Sequence, residues 1–551
     1  MPDLVFTNGA VFTAVSGAAD ASTVVVRDGL IVGVGGDDVR DLAGADAEVV
    51  DLAGGLLVPG FQDAHVHPVG GGLERMRCDL TGEPVRRDAY VAAVRRYADA
   101  HPEREWITGG GWAMAAFPGG TPTAADLDSV VPDRPVFLPN RDHHSAWVNS
   151  KALGLAGIDA STPDPLDGRI ERDQEGRPTG TLHEGAMDLV EHHAPVDSPE
   201  DLVEGLLEGQ RYLHALGITA WQDAIVGAYA NINDASDAYE ALAADGRLTA
   251  KVVGALWWQR DKGGEQIADL VAARERHASG RFRATSVKIM QDGVAENFTA
   301  QMLTSYCDGH GGHTGHTGIA MVDPQALRGH VSELDRLGFQ VHVHAIGDGA
   351  VRSALDAFEA AAKANGPEHT AGNRHHIAHI QVIHPEDVRR FAMLGVSANM
   401  QALWAAYEPQ MTDLTIPFLG DERATWQYPF GDLHRAGAHL AMGSDWPVST
   451  PDPLEAIHVA VNRTLSEQEG GADRELRAFL PEQALDVTTA LTAYTAGSAW
   501  LNHLEETTGT IEVGKAADLA VIDRDVRATP EAIAAGNVVA TYVDGREVYA
   551  S

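Results

Sequence analysis

The sequence predicts an α/β fold: a distorted (β/α)₈ TIM barrel, with a small β-sandwich-like domain built from both termini and a large insert after the first barrel strand. Three features of its 551 residues lead there. The middle of the chain alternates short apolar runs with helix-patterned segments, eight runs in all. Both ends carry β-branched runs broken by Asp-Gly. About 150 residues separate the first apolar run of the middle from the second, several times a normal βα connection.

Residues 1–54 and 497–551 are expected to form the β domain, 55–496 the barrel and 69–205 the insert. Residues 4–12 (LVFTNGAVF) read as strand, turn, strand. Residues 24–35 (VVVRDGLIVGVG) read as a hairpin, because Asp-Gly between β-branched runs suits the tight two-residue turn. The C-terminal end has the same texture in residues 509–523 and in the Asp-Gly hairpin of 538–549. The barrel is expected to open on Gly55-Leu56-Leu57-Val58-Pro59, a buried run leading to His65 and His67. Further strands are expected at 217–223, 251–256, 286–290, 338–344, 375–380, 395–399 and 438–443, with helices such as 324–337, 349–363 and 385–394 between them. The insert carries GGGW (109–112) and FPGG (117–120) and is expected over the barrel mouth.

Composition narrows the function. The chain is 44% hydrophobic and 22% charged, an ordinary globular balance. Forty-one basic against 79 acidic residues give a net charge of −38, which argues against nucleic acid or an anionic membrane as partner. No apolar run approaches the ~18 residues of a membrane span. The start, Met1-Pro2-Asp3-Leu4, lacks the basic and apolar parts of a secretion signal, and two cysteines make no disulfide framework, so a cytoplasmic location is expected.

His65 and His67 stand two apart. On an extended strand such residues face the same side, so two imidazoles can share one metal ion; the alternative is a pair of satisfied core histidines. In a barrel the C-terminal strand ends meet at one mouth. Lys288 falls on the fourth expected strand, His344 ends the fifth, His379 ends the sixth and Asp445 follows the eighth. Singly, an Asp after a strand is commonly a turn residue, and a lone His is commonly structural. A Lys in an apolar strand is costly to bury. Six separate structural explanations would be needed at one mouth, whereas a site for Zn²⁺ or a similar ion accounts for all six residues together.

On these residues the sequence resembles the metal-dependent amidohydrolase superfamily, most closely its N-substituted formamide deformylase-like (YtcJ-like) branch. The resemblance runs nearly end to end. It is carried by PGFQDAHVH (59–67), Val287-Lys288 with Asp292-Gly293, His344-Ala345-Ile346-Gly347-Asp348, His379 and Gly443-Ser444-Asp445-Trp446-Pro447. PDRPV (132–136) and WVNSKAL (147–153) carry it in the insert, and GTIEVGKAADL (509–519) at the end. The resemblance implies a hydrolase of non-peptide C–N bonds, in an amide, N-formyl amine or N-acyl amine. It implies that His65, His67 and Asp445 hold the more buried metal, that His344 and His379 hold a second, and that a carbamylated Lys288 bridges them. The cofactors would be two Zn ions, with Fe, Mn or Co as alternatives, and carbon dioxide as the carbamate. An ammonium at position 288 repels cations, which independently suits a carbamate there. Asp445 would act as general base and then general acid. A mononuclear site of His65, His67, Asp445 and either His344 or His379 is the competing arrangement. Two positions need comment. Ala378 stands where the family often has Glu, and His342 gives the fifth strand its own H-x-H, with His344 preferred as the residue nearer the strand end. His375 and His376 are expected below or outside the mouth.

His144, in DHHSAW (142–147), aligns with a recurrent histidine of the branch's insert and is the expected carbonyl-polarising residue, against a surface-structural role. Trp112, Phe117, Trp404, Tyr407 and Trp446 are expected to line an apolar substrate pocket, against the core roles aromatics commonly fill. The loop GHGGHTGHTG (309–318) reads as a lid near the mouth rather than a metal site. The expected partner is a small-molecule amide; a homodimer is one option for the assembly. An ester, lactone or cyclic-amide hydrolase using the same site is the alternative activity. A non-catalytic scaffold barrel is a third, and the filled ligand positions argue against it.

Overall fold

A computed structural model describes residues 2–17, 21–229, 233–278, 280–466 and 477–551. Among these residues the chain forms four sheets. The largest has eight parallel strands in sequence order: Phe61–Val66, Ile218–Val226, Lys251–Trp257, Phe282–Met290, Gln340–Ala345, His376–His379, Ser397–Met400 and Leu440–Met442. The sheet curls into a nearly closed barrel. The eighth strand meets the first through the Asp445 N–H donating to His65 O at 2.8 Å, and through Ser444 N–H donating to Asp63 Oδ1 at 3.0 Å. Parallel register sets Lys288 opposite His342, and His342 opposite His376, so these residues share a level of the barrel.

Helices surround the strands where local capping allows them to start. Pro324–Arg336 begins at Asp323, whose carboxylate accepts from the N–H groups of Gln325 and Ala326, with Pro324 pre-set at the first helical position. Pro385–Leu394 begins the same way and stops at Gly395, which takes a left-handed conformation. No helix among the described residues is long and apolar enough to cross a membrane.

Two further sheets combine both ends of the chain. One contains Leu4–Thr7, Thr23–Arg27, Leu30–Gly35 and Glu48–Asp51; the other contains Ala10–Val11, Leu56–Pro59, Leu519–Ile522, Val538–Val543 and Arg546–Ala550. Phe6, Val24, Val26, Leu57, Leu519 and Tyr542 form their common core. Both Asp-Gly pairs sit at hairpin turns, closing Arg27 onto Leu30 and Val543 onto Arg546. Asp28, Gly29, Asp544 and Gly545 all have positive φ (52°, 80°, 48° and 71°), as this tight turn requires.

The run Leu56–Pro59 differs from expectation. It is a strand of the terminal sheet, antiparallel to Leu519–Ile522, with Leu57 opposite Val521. The barrel strand starts only at Phe61, beyond Gly60, where an added Cβ would lie 2.3 Å from Thr219 Oγ1. A fully buried strand has no alternation to show which sheet it joins, so sequence pattern could not separate the two.

The insert has its own mixed sheet of six strands, Cys78–Asp79, Ile107–Gly110, Val136–Pro139, Ser145–Val148, Gly168–Arg172 and Pro178–Glu184. Its attachment is close-packed. The helix after the first barrel strand, Pro68–Arg75, meets Pro199–Ala215 at glycines, and a Cβ on Gly72 would fall 1.8 Å from Gly205 O.

Candidate active site

The C-terminal ends of the barrel strands and the insert enclose a cavity of about 740 Å³. His65, His67, Lys288, His344, His379 and Asp445 all face it. Asp445 Oδ1 lies 3.0 Å from both His65 Nε2 and His67 Nε2. Its Oδ2 is 3.8 Å from His379 Nδ1, a buried nitrogen with no hydrogen-bond partner. His65, His379 and Asp445 each offer one ligand atom, and these lie within 4.8 Å of one another. Convergent nitrogen and carboxylate donors, one of them orphaned in the interior, fit a divalent ion of the zinc type.

Electrostatics agree with that donor set. Burial, then the Lys288 charge, holds His65 down to about 3. Burial likewise holds His344 and His379 well below the usual imidazole range. Neutral imidazoles are the metal-binding form. Burial opposes the charge on Asp445, but His65, His67 and His379 around it hold its carboxyl well below the usual range. Lys288 Nζ lies 3.4 Å from His65 Nε2, and burial lowers its ammonium to about 7. His344 Nε2 faces Gly293 O at 3.4 Å. Asp292 ties the adjoining loops together by accepting from the N–H groups of Gln301, Ile346 and Gly347 at 2.8–3.0 Å. Backbone strain gathers here, with positive φ at His379 (76°), Ile380 (45°), Asp445 (57°) and Glu184 (50°).

His144 reaches the same cavity from the insert, its ring centroid 5.6 Å from that of His344. Its Nδ1 donates to Glu184 Oε1 at 2.9 Å and Oε2 at 3.1 Å. Burial works against charging this imidazole; the Glu184 carboxylate overrides it and pushes His144 up to about 9. Thr299 Oγ1 and Asn297 Nδ2 donate to Glu184 Oε1 at 2.8 and 3.3 Å. Nε2 is then the remaining donor of a charged His144. Glu184 ends a strand of the insert, distant in sequence from every motif, and nothing in the sequence marked it.

The expected aromatic wall is only partly there. Trp404 faces the cavity and stacks on His379, centroids 5.5 Å apart and planes 9° from parallel. Trp446 also faces the cavity, against Tyr212. Trp112, Phe117 and Tyr407 do not line it. Trp112 is fully buried in the insert core, its indole N–H donating to Leu138 O at 2.8 Å, and Phe117 packs edge-on against it and against Trp147. A small sheet needs such large side chains to build a core of its own, and that demand takes both residues. Tyr407 packs against Phe479 under the Arg477 guanidinium. Tyr229, Trp257 and Met411 line the cavity instead. Loop residues 309–318 are largely exposed and lie outside its wall. His375 sits away from the mouth, stacked on Phe358 and bonded to Asp335.

The sequence profile of the amidohydrolase family matches residues 48–549. The chain belongs to the amidohydrolase family. The YtcJ protein of Bacillus subtilis (strain 168), named as an amidohydrolase, is 30% identical over 550 residues, covering 98% of each chain. An N-substituted formamide deformylase of Arthrobacter pascens is 28% identical over 561 residues, covering 99% of this chain and 98% of that one. Among solved structures, an uncharacterized metal-dependent hydrolase of Pyrococcus horikoshii superposes with a TM-score of 0.72 at 26% identity, over 96% of this chain and 99% of that one. As a member of this family the chain is a hydrolase acting on carbon–nitrogen bonds.

Proposed function

We propose that this amidohydrolase cleaves the C–N bond of an N-formyl or N-acyl amine carrying an apolar substituent. The observation that carries the proposal is the convergence of His65, His67, His379 and Asp445, beside Lys288, on the floor of a cavity that Trp404 and Trp446 also line. When bound, one or two divalent ions, zinc by default, would supply Lewis acidity and a water of lowered pKa. His65, His67 and Asp445 would hold one ion, and His344 and His379 the other. The close grouping of His379 with His65 and Asp445 supports a second arrangement, in which these residues hold a single ion.

Lys288 would bridge two ions as a carbamate. Its neutral amine adds to the carbon of carbon dioxide and releases one proton, leaving an oxygen-bearing anion where an ammonium would repel cations. Asp445 takes the proton of the attacking water on a carboxylate oxygen and passes it to the departing nitrogen. His144 Nε2–H donates to the carbonyl oxygen as negative charge builds on it, and Glu184 keeps that imidazole charged and in place. The apolar substituent packs on Trp404 and Trp446, and the insert covers the cavity against bulk water.

The test combines metal content per chain, on protein purified without chelator, with crystallographic density at Lys288 and a panel of formamides, acyl-amino acids, esters and lactones. Close to two ions, a carboxylate on Lys288 and turnover of the formamides are expected. One ion with a bare Lys288 selects the single-ion arrangement. Turnover of lactones or esters alone would overturn the substrate assignment.

A further inference from the structure

The barrel interior beneath the site is unusual. Barrels of this kind are commonly filled by layers of branched aliphatic side chains. Here Gln222, Gln340, His342, His376 and Asn399 are all buried and hydrogen-bonded to one another. None of them lines the cavity, and none takes part in the chemistry proposed above.

Backbone carbonyls, which can only accept, set the direction of these bonds. Gln340 Nε2 donates to Arg374 O at 2.9 Å and to Leu501 O at 2.8 Å. Gln340 Oε1 therefore accepts from Gln222 Nε2, at 2.9 Å. Gln222 Oε1 is then left to accept from His342 Nδ1 at 2.7 Å and from His376 Nε2 at 3.1 Å. A second anchor gives the same answer independently. Asn399 Nδ2 donates to Ala64 O at 2.9 Å, so its other hydrogen goes to His376 Nδ1 at 3.2 Å, and the proton of His376 is on Nε2. His342, buried with no carboxylate among its hydrogen-bond partners, stays neutral with its proton on Nδ1. Its Nε2 must accept, and the donor is His65 Nδ1–H at 2.8 Å. His65 Nε2 is left with a lone pair, 3.0 Å from Asp445 Oδ1. Lys288 Nζ, 3.4 Å away, is the other group facing that lone pair.

We propose that Gln340, Gln222 and His342 form a directional relay that locks His65 in its Nδ1–H tautomer and aims the Nε2 lone pair at the metal position, with His342 as the positioning residue. This rests on the metal-dependent site proposed above. Partners behind a ligating histidine orient the ring and raise its basicity, and their loss commonly weakens metal binding about 10–100-fold.

Zn²⁺ affinity, measured by competition with a chromophoric chelator on the full chain, tests the relay. His342→Phe keeps the ring volume and removes the acceptor; it is expected to weaken Zn²⁺ binding about 10–100-fold. His342→Gln restores an acceptor at about the Nε2 position and is expected to stay within about threefold of wild type. Asn502→Ala removes a second acceptor of Gln222 Nε2 and leaves Gln340 Oε1 to set the direction of that amide, so it is also expected to stay within about threefold. Should His342→Phe fail to fold, Gln222→Leu breaks the same relay one residue earlier, with the same expected weakening. Wild-type affinity in a folded His342→Phe or Gln222→Leu variant would overturn the relay. Equal weakening in His342→Gln and Asn502→Ala would reduce it to packing and overturn it too. A wild-type chain that binds no Zn²⁺ at all would overturn the metal reading itself, which separates the two failures.

Discussion

Glu184→Gln isolates the electrostatic part of the proposed mechanism. The substitution keeps the side-chain volume and removes one buried negative charge. Thr299 and Asn297 continue to donate to the oxygen at the Oε1 position, so the new amide nitrogen falls at Oε2, 3.1 Å from His144 Nδ1. The Oε1 oxygen stays 2.9 Å from Nδ1, but without the carboxylate charge His144 is a neutral ring, which carries a proton on Nε2 only in the tautomer whose Nδ1 accepts from the new amide nitrogen. A hydrogen bond from a charged donor is worth about 1.5–3 kcal/mol and a neutral one about 0.5–1.5, so the loss is about 1–2 kcal/mol at the developing oxyanion. At about 1.4 kcal/mol per decade, kcat falls about 10-fold, with KM little changed. His144→Ala removes the donor outright and is expected to cost about 10²–10³ in kcat. The double variant should be no worse than His144→Ala, because Glu184 acts only through His144. Steady-state kinetics at equal metal loading, on whichever formamide the panel identifies, reads all three. A Glu184→Gln enzyme with wild-type kcat, or two losses that simply multiply, would refute this chain of causes.

Three other outcomes are expected. Lys288→Met, which cannot form a carbamate, should lower metal content from about two ions per chain to one or none, read by elemental analysis of folded protein. Trp404→Ala, by removing an apolar wall, should lower kcat/KM about 10–100-fold for amides with a large apolar substituent and far less for a small one. Asp544→Asn should loosen the terminal sheet from the barrel, since Asp544 binds Lys251 Nζ at 2.8 Å and also pairs with Arg281. Burial pushes the Asp544 carboxyl up, but the Lys251 and Arg281 charges win and hold it below its ordinary value. Its contribution is therefore present above the unfolded value near pH 4 and is lost as pH falls through the lower folded value. About a third of the side chain is exposed, so screening limits the cost to about 1 kcal/mol at pH 7. Urea unfolding at pH 7 and near pH 3 should show the gap to wild type closing in acid.

The sequence alone determined the elements whose causes are local. Asp28-Gly29 and Asp544-Gly545 are turns because their two residues tolerate positive φ, whatever surrounds them. The ligand candidates were legible for a similar reason. Parallel strands in a barrel all end at one mouth, so His65, Lys288, His344, His379 and Asp445 could be gathered there from strand positions alone. Tertiary structure decided the rest. Leu56–Pro59 joined the terminal sheet, and Trp112 and Phe117 went to the insert core, because burial pattern names an element but not its neighbour. Glu184 and Gln222 were invisible in the sequence because their roles come from what lies across a hydrogen bond: 40 residues away in one case and 120 in the other. A local pattern encodes backbone conformation, whereas the charge on His144 and the tautomer of His65 depend on partners that only the folded chain brings within 3 Å.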